Sequence, residues 1–223
     1  MTDDDALKRE ALRVYQRYAS EVVEAFDLCP WAAYAKRDGR VAELVILREN
    51  QANPTQSLAL ISALVPHEKT EIALFIYPDL ELDRLDFESF VRTLREQDAA
   101  RYEVGTIPFA MAAFHPEARA DLSEPERLIP FLRRTPDPTI QLVRQSALDR
   151  VRGKHPEGTA FFDLSQLPLS LANLPQKEQV SVRQRIAQDN LKTTLEVGVS
   201  TVEERLSDIR RDRNEAYARL RSV

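Results

Sequence analysis

The sequence predicts an α/β fold: a small mixed or parallel three- to four-stranded sheet with helices packed on it, a βαβαβ core followed by C-terminal helices. Three observations carry that expectation. Two short aliphatic runs, Val41–Leu47 and Glu71–Tyr77, read as strands. Helical patterns follow each of them, and a third extended segment lies at Tyr102–Phe114. An amphipathic stripe precedes them all.

That stripe runs through Leu7, Val14, Tyr15, Tyr18, Val22, Val23 and Phe26 at three- and four-residue spacing, with Asp3–Asp5 at its start. It predicts a helix of about six turns. Pro30 disfavours helical geometry at Cys29, so the cysteine falls where the helix ends and the chain turns. After the first strand, Asn53-Pro54 reads as a helix cap, with Leu58, Ile61, Leu64 and Val65 on the apolar face. The run Ile72–Tyr77 is nearly continuous in apolar character, as a strand covered on both faces should be, and it pairs in parallel with the first. Asp86 is the expected cap of the next helix, with Phe87, Phe90, Val91 and Leu94 inward. Gly105 and Pro108 interrupt the third extended segment and point to a bulge or an edge position.

Beyond His115 the pattern changes. Pro116–Asp137 is rich in proline and charge and shows no period, which predicts a long loop of functional character. Asp137-Pro138 repeats the cap signature, and Ile140, Leu142, Val143, Ala147, Leu148 and Val151 read as one helix. Gly153–Pro175 is irregular apart from the apolar island Ala160-Phe161-Phe162. Gln176–Val197 and Thr201–Leu220 read as two helices broken at Gly198. The expected organisation is one domain over residues 1–198 and a helical extension over 199–223, which is either solvated or the seat of a homodimer contact.

The charge of −5 argues against nucleic acid as the main ligand, since phosphate binding needs a basic surface. The single cysteine excludes an intramolecular disulfide, and with no signal-peptide pattern at the start a cytoplasmic location is expected. No apolar run is long enough to span a bilayer. Glycine-rich phosphate loops, the Gly-x-Ser-x-Gly elbow, His-Glu-x-x-His and paired-cysteine zinc motifs are all missing. Chemistry therefore falls to a few residues. Cys29 as a nucleophile needs a nearby cation, because the helix end before it is negative; as a bland alternative it is a small buried hydrophobe. His115 follows the third strand at the end where α/β proteins gather ligands. His67 and His155 lie in polar turns and read as solvated. Arg133, Arg134 and Arg144 flank the Pro138 signature and form either an anion site or ion pairs.

With these residues in view, the chain resembles an uncharacterised bacterial family, the domain of unknown function 1415. The resemblance rests on Asp27-Leu28-Cys29-Pro30-Trp31-Ala32, Tyr77-Pro78, Ala113-Phe114-His115-Pro116, Arg134-Thr135-Pro136-Asp137-Pro138, Leu142-Val143-Arg144-Gln145-Ser146, and Asp189–Leu195 with Gly198. It covers about residues 8 to 198. It implies one α/β domain and a shared pocket of Cys29, His115, Arg134, Arg144 and Asn190, but no activity. Asp137 stands where the family usually has tyrosine, and Gln145 where it usually has an acidic residue.

Three functions follow as expectations. One is a small-molecule enzyme with Cys29 and His115 as catalytic groups and Arg134, Arg144 and Asn190 binding an anionic substrate. The second is a haem- or iron-binding enzyme with Cys29 or His115 as axial ligand. The third is a non-catalytic binding or assembly module that dimerises through its last two helices.

Overall fold

The computed structural model describes residues 3–29, 32–51, 53–103, 105–153 and 182–222. The expectations for Pro30, His155 and the 160–162 island lie outside the described residues. Helix α1, Asp3–Tyr18, continues into a π-helical segment, Ala19–Glu24. Asp27 then adopts a left-handed conformation (φ 49°), Leu28 N–H donates to Val23 O and Asp27 N–H to Glu24 O. This pair of bonds is a Schellman closure, which satisfies the last carbonyls and drives Leu28 into the core. Cys29 emerges directly after it, half-buried. A short helix α2, Ala32–Arg37, returns the chain to the sheet.

The sheet has four strands, β1 Val41–Val45, β2 Ile72–Ile76, β3 Phe109–Phe114 and β4 Thr139–Arg144, in the order β1-β2-β4-β3. β1 and β2 are parallel, and β4 runs antiparallel to both β2 and β3. The sheet is therefore mixed, with β3 at an edge where Pro108 is tolerated. Residues 139–144 are strand rather than helix. Ile140 and Leu142 face one side, Thr139, Gln141 and Val143 the other, and the β-branched residues favour that alternation. The helical spacing belongs only to the next element, α6, Gln145–Gly153.

Helices α3, Thr55–Leu64, and α4, Arg84–Ala99, cover one face, where Ile61, Phe87, Phe90 and Leu94 pack on Phe75, Tyr77, Ile140 and Leu142. Their caps differ from expectation. Asp83, not Asp86, caps α4 by accepting from Asp86 N–H at 2.9 Å. At α3 the anion is Glu49, whose buried carboxylate accepts from Ser57 N–H at 2.7 Å and from the Ser57 hydroxyl, which also touches the Tyr77 hydroxyl at 2.8 Å. A negative charge at a helix N-terminus answers the free amides and the dipole together.

The opposite face carries α1, a short helix α5, Pro125–Leu132, that forms inside the expected loop, and the C-terminal pair α7, Val182–Val197, and α8, Val199–Arg221. Gly198 (φ 92°) makes the break between the last two. Val202, Leu206, Ile209, Ala216 and Tyr217 of α8 join Ala11, Tyr15, Tyr18 and Ile76 in one core. The last helix, whose alternating charges suggested a solvated helix or a dimer contact, thus packs its apolar residues on its own chain. A charged stripe beside it grips α1: Asp212 accepts from Arg13 (2.8 Å) and Arg17 (2.7 Å), Asp208 from Arg17 (2.8 Å), and Glu21 from Arg17 and Arg205.

Hydrogen bonds from Arg13, then Arg17, hold the Asp212 carboxyl below its usual range, and Arg17 does the same for Glu21. Carboxylates depressed on folding add stability that is present above their ordinary values, 3.8 and 4.5, and lost as pH falls through the lower folded ones. Asp212→Asn should therefore cost about 1 kcal/mol in urea unfolding at pH 7, a value limited by the partial exposure of Arg13, and the difference from wild type should be clearly smaller at about pH 2, since it is lost only as pH falls towards the depressed folded value. A loss that is equal at both pH values would rule out the charged clamp.

Candidate functional site

The segment from Arg133 to Pro138 joins α5 to β4 at the carboxyl edge of β2 and β3, and Thr135, Pro136, Asp137 and Pro138 are all buried. Burying a turn requires partners for its polar groups, and these are present. The Tyr18 hydroxyl donates to Leu132 O at 2.6 Å. Thr135 and Thr139 hydroxyls both donate to Asp137 O, at 2.7 and 2.9 Å, and Tyr77 N–H donates to Pro138 O at 3.0 Å. The Asp137 carboxylate accepts from Arg213 Nε at 2.9 Å and the Tyr217 hydroxyl at 2.7 Å, while Arg213 also donates to Pro78 O. Burial pushes the Asp137 carboxyl above its ordinary value against the pull of Arg213. Tyr217 is raised in turn by burial and by the Asp137 charge.

The fixed turn sends its two arginines to different sides. Arg133 lies over the Phe114 ring, 4.9 Å from its centroid, on the α1 side. There burial raises the Tyr18 phenol, with the Arg133 charge opposing that shift and Cys29 adding to it. Cys29 acts on Tyr15 as well. Arg134 points toward α8: it donates to Pro116 O at 3.2 Å and pairs with Glu203. Arg210 and Arg213 complete that side with Glu117 and Asp137.

His115 is buried at the same edge but faces the other helices. Its ring lies 5.8 Å from Phe87 of α4. Nδ1 accepts from Glu117 N–H at 3.2 Å, which leaves Nε2 to donate to Leu82 O at 3.0 Å. That pairing defines the neutral Nε2–H tautomer, and burial lowers the imidazole pKa from 6.5. Both nitrogens are engaged, so a role in general-base catalysis or axial ligation would break one of these bonds. Cys29 and His115 therefore do not form a pair: strand alternation puts Phe114 on the α1 side and His115 against α4.

Arg144 belongs to neither group. The register sets Phe114 opposite Thr139 and Phe109 opposite Arg144, about 17 Å apart along the strand. Arg144 donates to the carbonyls of Leu64 (3.0 Å), Val65 (3.3 Å), His67 (3.0 Å) and Thr70 (2.9 Å), and lies over the Phe109 ring. It closes the C-terminal end of α3, and its expected place in an anion pocket is corrected on that ground. Asn190 lies on a buried stripe of α7 with Ala187 and Thr194, and its carbonyl accepts from the Thr194 hydroxyl at 2.7 Å. No contact in the structure joins Asn190 to Cys29 or His115 among the described residues. Nor do three His, Cys, Asp or Glu side chains converge as a metal site among them.

Sequence reasoning missed Tyr18, Asp137, Arg210, Arg213 and Tyr217 as members of this edge. A signal existed for the last three: Glu203, Arg210 and Tyr217 recur every seven residues on α8, with Arg213 on the same stripe.

The class defined by this geometry is a mixed α/β domain with a cationic turn between a thiol and an arginine cluster. A family model described as "Protein of unknown function (DUF1415)" matches residues 10–164, and the chain belongs to that family. No curated protein and no solved structure matches it. Cys29, His115 and both arginines of the turn fall within the matched residues, whereas α7 and α8 lie beyond them.

As the closure of α3, Arg144 contributes stability. Arg144→Ala should lower unfolding free energy by roughly 2–3 kcal/mol, through lost charged hydrogen bonds and the ring contact, and leave the rate of Cys29 alkylation in the folded protein unchanged. A stable variant with altered thiol reactivity would return Arg144 to the site.

Proposed function

We propose that the protein is a small-molecule enzyme in which Cys29 reacts with an anionic substrate and Arg133 binds the anion. One observation carries this reading: the only cysteine is half-buried rather than sealed in the core, and it directly follows Leu28, which shares a core with Tyr18, whose hydroxyl donates to the carbonyl of Leu132 next to Arg133. The helix end before Cys29 is closed by its own Schellman bonds, and Arg133 is the cation this reading assigns to the anion that approaches the thiol. An arginine so placed also attracts a carboxylate or phosphate on the molecule to be attacked. In this reading His115 is a positioning residue. It fixes Leu82 and Glu117 from the α4 side and holds the strand end that carries Phe114, on which Arg133 rests.

With one cysteine in the chain, alkylation reports on this site alone. Iodoacetate and iodoacetamide undergo the same step, in which thiolate sulfur bonds to carbon and iodide leaves with the electron pair, and they differ in charge. Cys29 should react with iodoacetate faster, relative to iodoacetamide, than a free thiol does, by about tenfold at low salt. Arg133→Gln should abolish that preference. A preference equal to that of a free thiol in the wild-type protein would refute the assignment.

A further inference from the structure

We infer that Arg210, together with Arg134 and Arg213, forms a binding site for an oxyanion, phosphate or carboxylate, between α8 and the carboxyl edge of the sheet. The site is independent of the Cys29 reading.

The placement comes from the helix register. Glu203, seven residues before Arg210, pairs with Arg134, and Arg213 and Tyr217, three and seven residues after it, hold Asp137. Arg210 is thus set on the same stripe of α8, between the residue that pairs with Arg134 and the two that hold Asp137. Its neighbours all have direct partners. Arg134 has Glu203 and Pro116 O, and Arg213 has Asp137 and Pro78 O. The carboxylate oxygens nearby are also occupied, in Asp137 by Arg213 and Tyr217 and in Glu203 by Arg134 and Ser207. Arg210 is half-buried and makes no ion pair or hydrogen bond among the described residues, although a guanidinium carries five donors. Glu117 and Asp137 act on it through space only; the Glu117 carboxylate is exposed, and that of Asp137 is taken by Arg213 and Tyr217.

A cation in this position is poorly compensated. Burial first, and then Arg213, holds the Arg210 guanidinium below its ordinary pKa, against the opposing charges of Glu117 and Asp137, and Arg134 adds a smaller push in the same direction. A bound oxyanion would accept from Arg210 in the bidentate manner and relieve the repulsion among the three arginines. The solvated alternative, in which water alone satisfies Arg210, predicts screening by any salt and no preference for oxyanions.

Thermal unfolding of the full chain separates the two. Inorganic phosphate and acetate are each compared with chloride at matched ionic strength. One of the oxyanions should raise the melting temperature by about 3 °C beyond chloride, and the effective one identifies phosphate or carboxylate. Arg210→Gln should erase that excess while melting in chloride at or above the wild-type temperature. Arg211→Gln, on the exposed side of α8, should keep the excess, and so should Cys29→Ser. Should Arg210→Gln fail to fold, Arg210→Lys serves in its place and should shift the midpoint of the oxyanion titration at least fivefold. Equal effects of chloride and both oxyanions on wild type, or an excess that survives at position 210, would overturn the site.

Discussion

Asp137 is fully buried, and a buried carboxylate must be paired or it destabilises the fold. Its partners, Arg213 and Tyr217, come from the last helix, and its backbone carbonyl is held by Thr135 and Thr139. One residue thereby ties α8 to the start of β4. Since β4 is inserted between β2 and β3, the same tie fixes the edge at which β2 and β3 end. The direction of Arg133 and Arg134, and with it the division into a thiol side and an arginine side, depends on that turn keeping its shape.

The C-terminal helix is correspondingly part of the core on its face of the sheet. Its apolar residues pack beneath α1, one charged stripe grips α1 through Asp208 and Asp212, and the other reaches the sheet edge through Glu203, Arg210, Arg213 and Tyr217. Among the described residues no helix is long and apolar enough to cross a membrane. The alternating charges of α8, which by themselves suit a solvated helix, here face partners on two sides.

Much of the fold was legible from local pattern. The two aliphatic strands, their parallel pairing, the helix between them and the break at Gly198 follow from periodicity and from the properties of glycine and proline. The fourth strand was not, because Ile140, Leu142 and Val143 fit either period, and the helical residues of α6 come after them without a break. Pairing with strands on both sides settles the ambiguity, and pairing is a property of the whole chain. The site divides similarly. Cys29, His115 and the arginine turn are visible as unusual residues, and the end of the sheet where two of them gather follows from the βαβ pattern. Which face each side chain takes depends on strand alternation and on α8, some seventy residues away in sequence, so Arg144 and His115 were assigned company they do not keep.

The most direct test is a double-mutant cycle on the tie itself, with Asp137→Asn and Arg213→Gln made singly and together and unfolding free energies measured in urea. A coupling of roughly 2 kcal/mol is predicted, since each single change leaves a buried partner unpaired and the second adds little. Additive effects, with coupling near zero, would contradict it, because the turn would then hold its shape without α8.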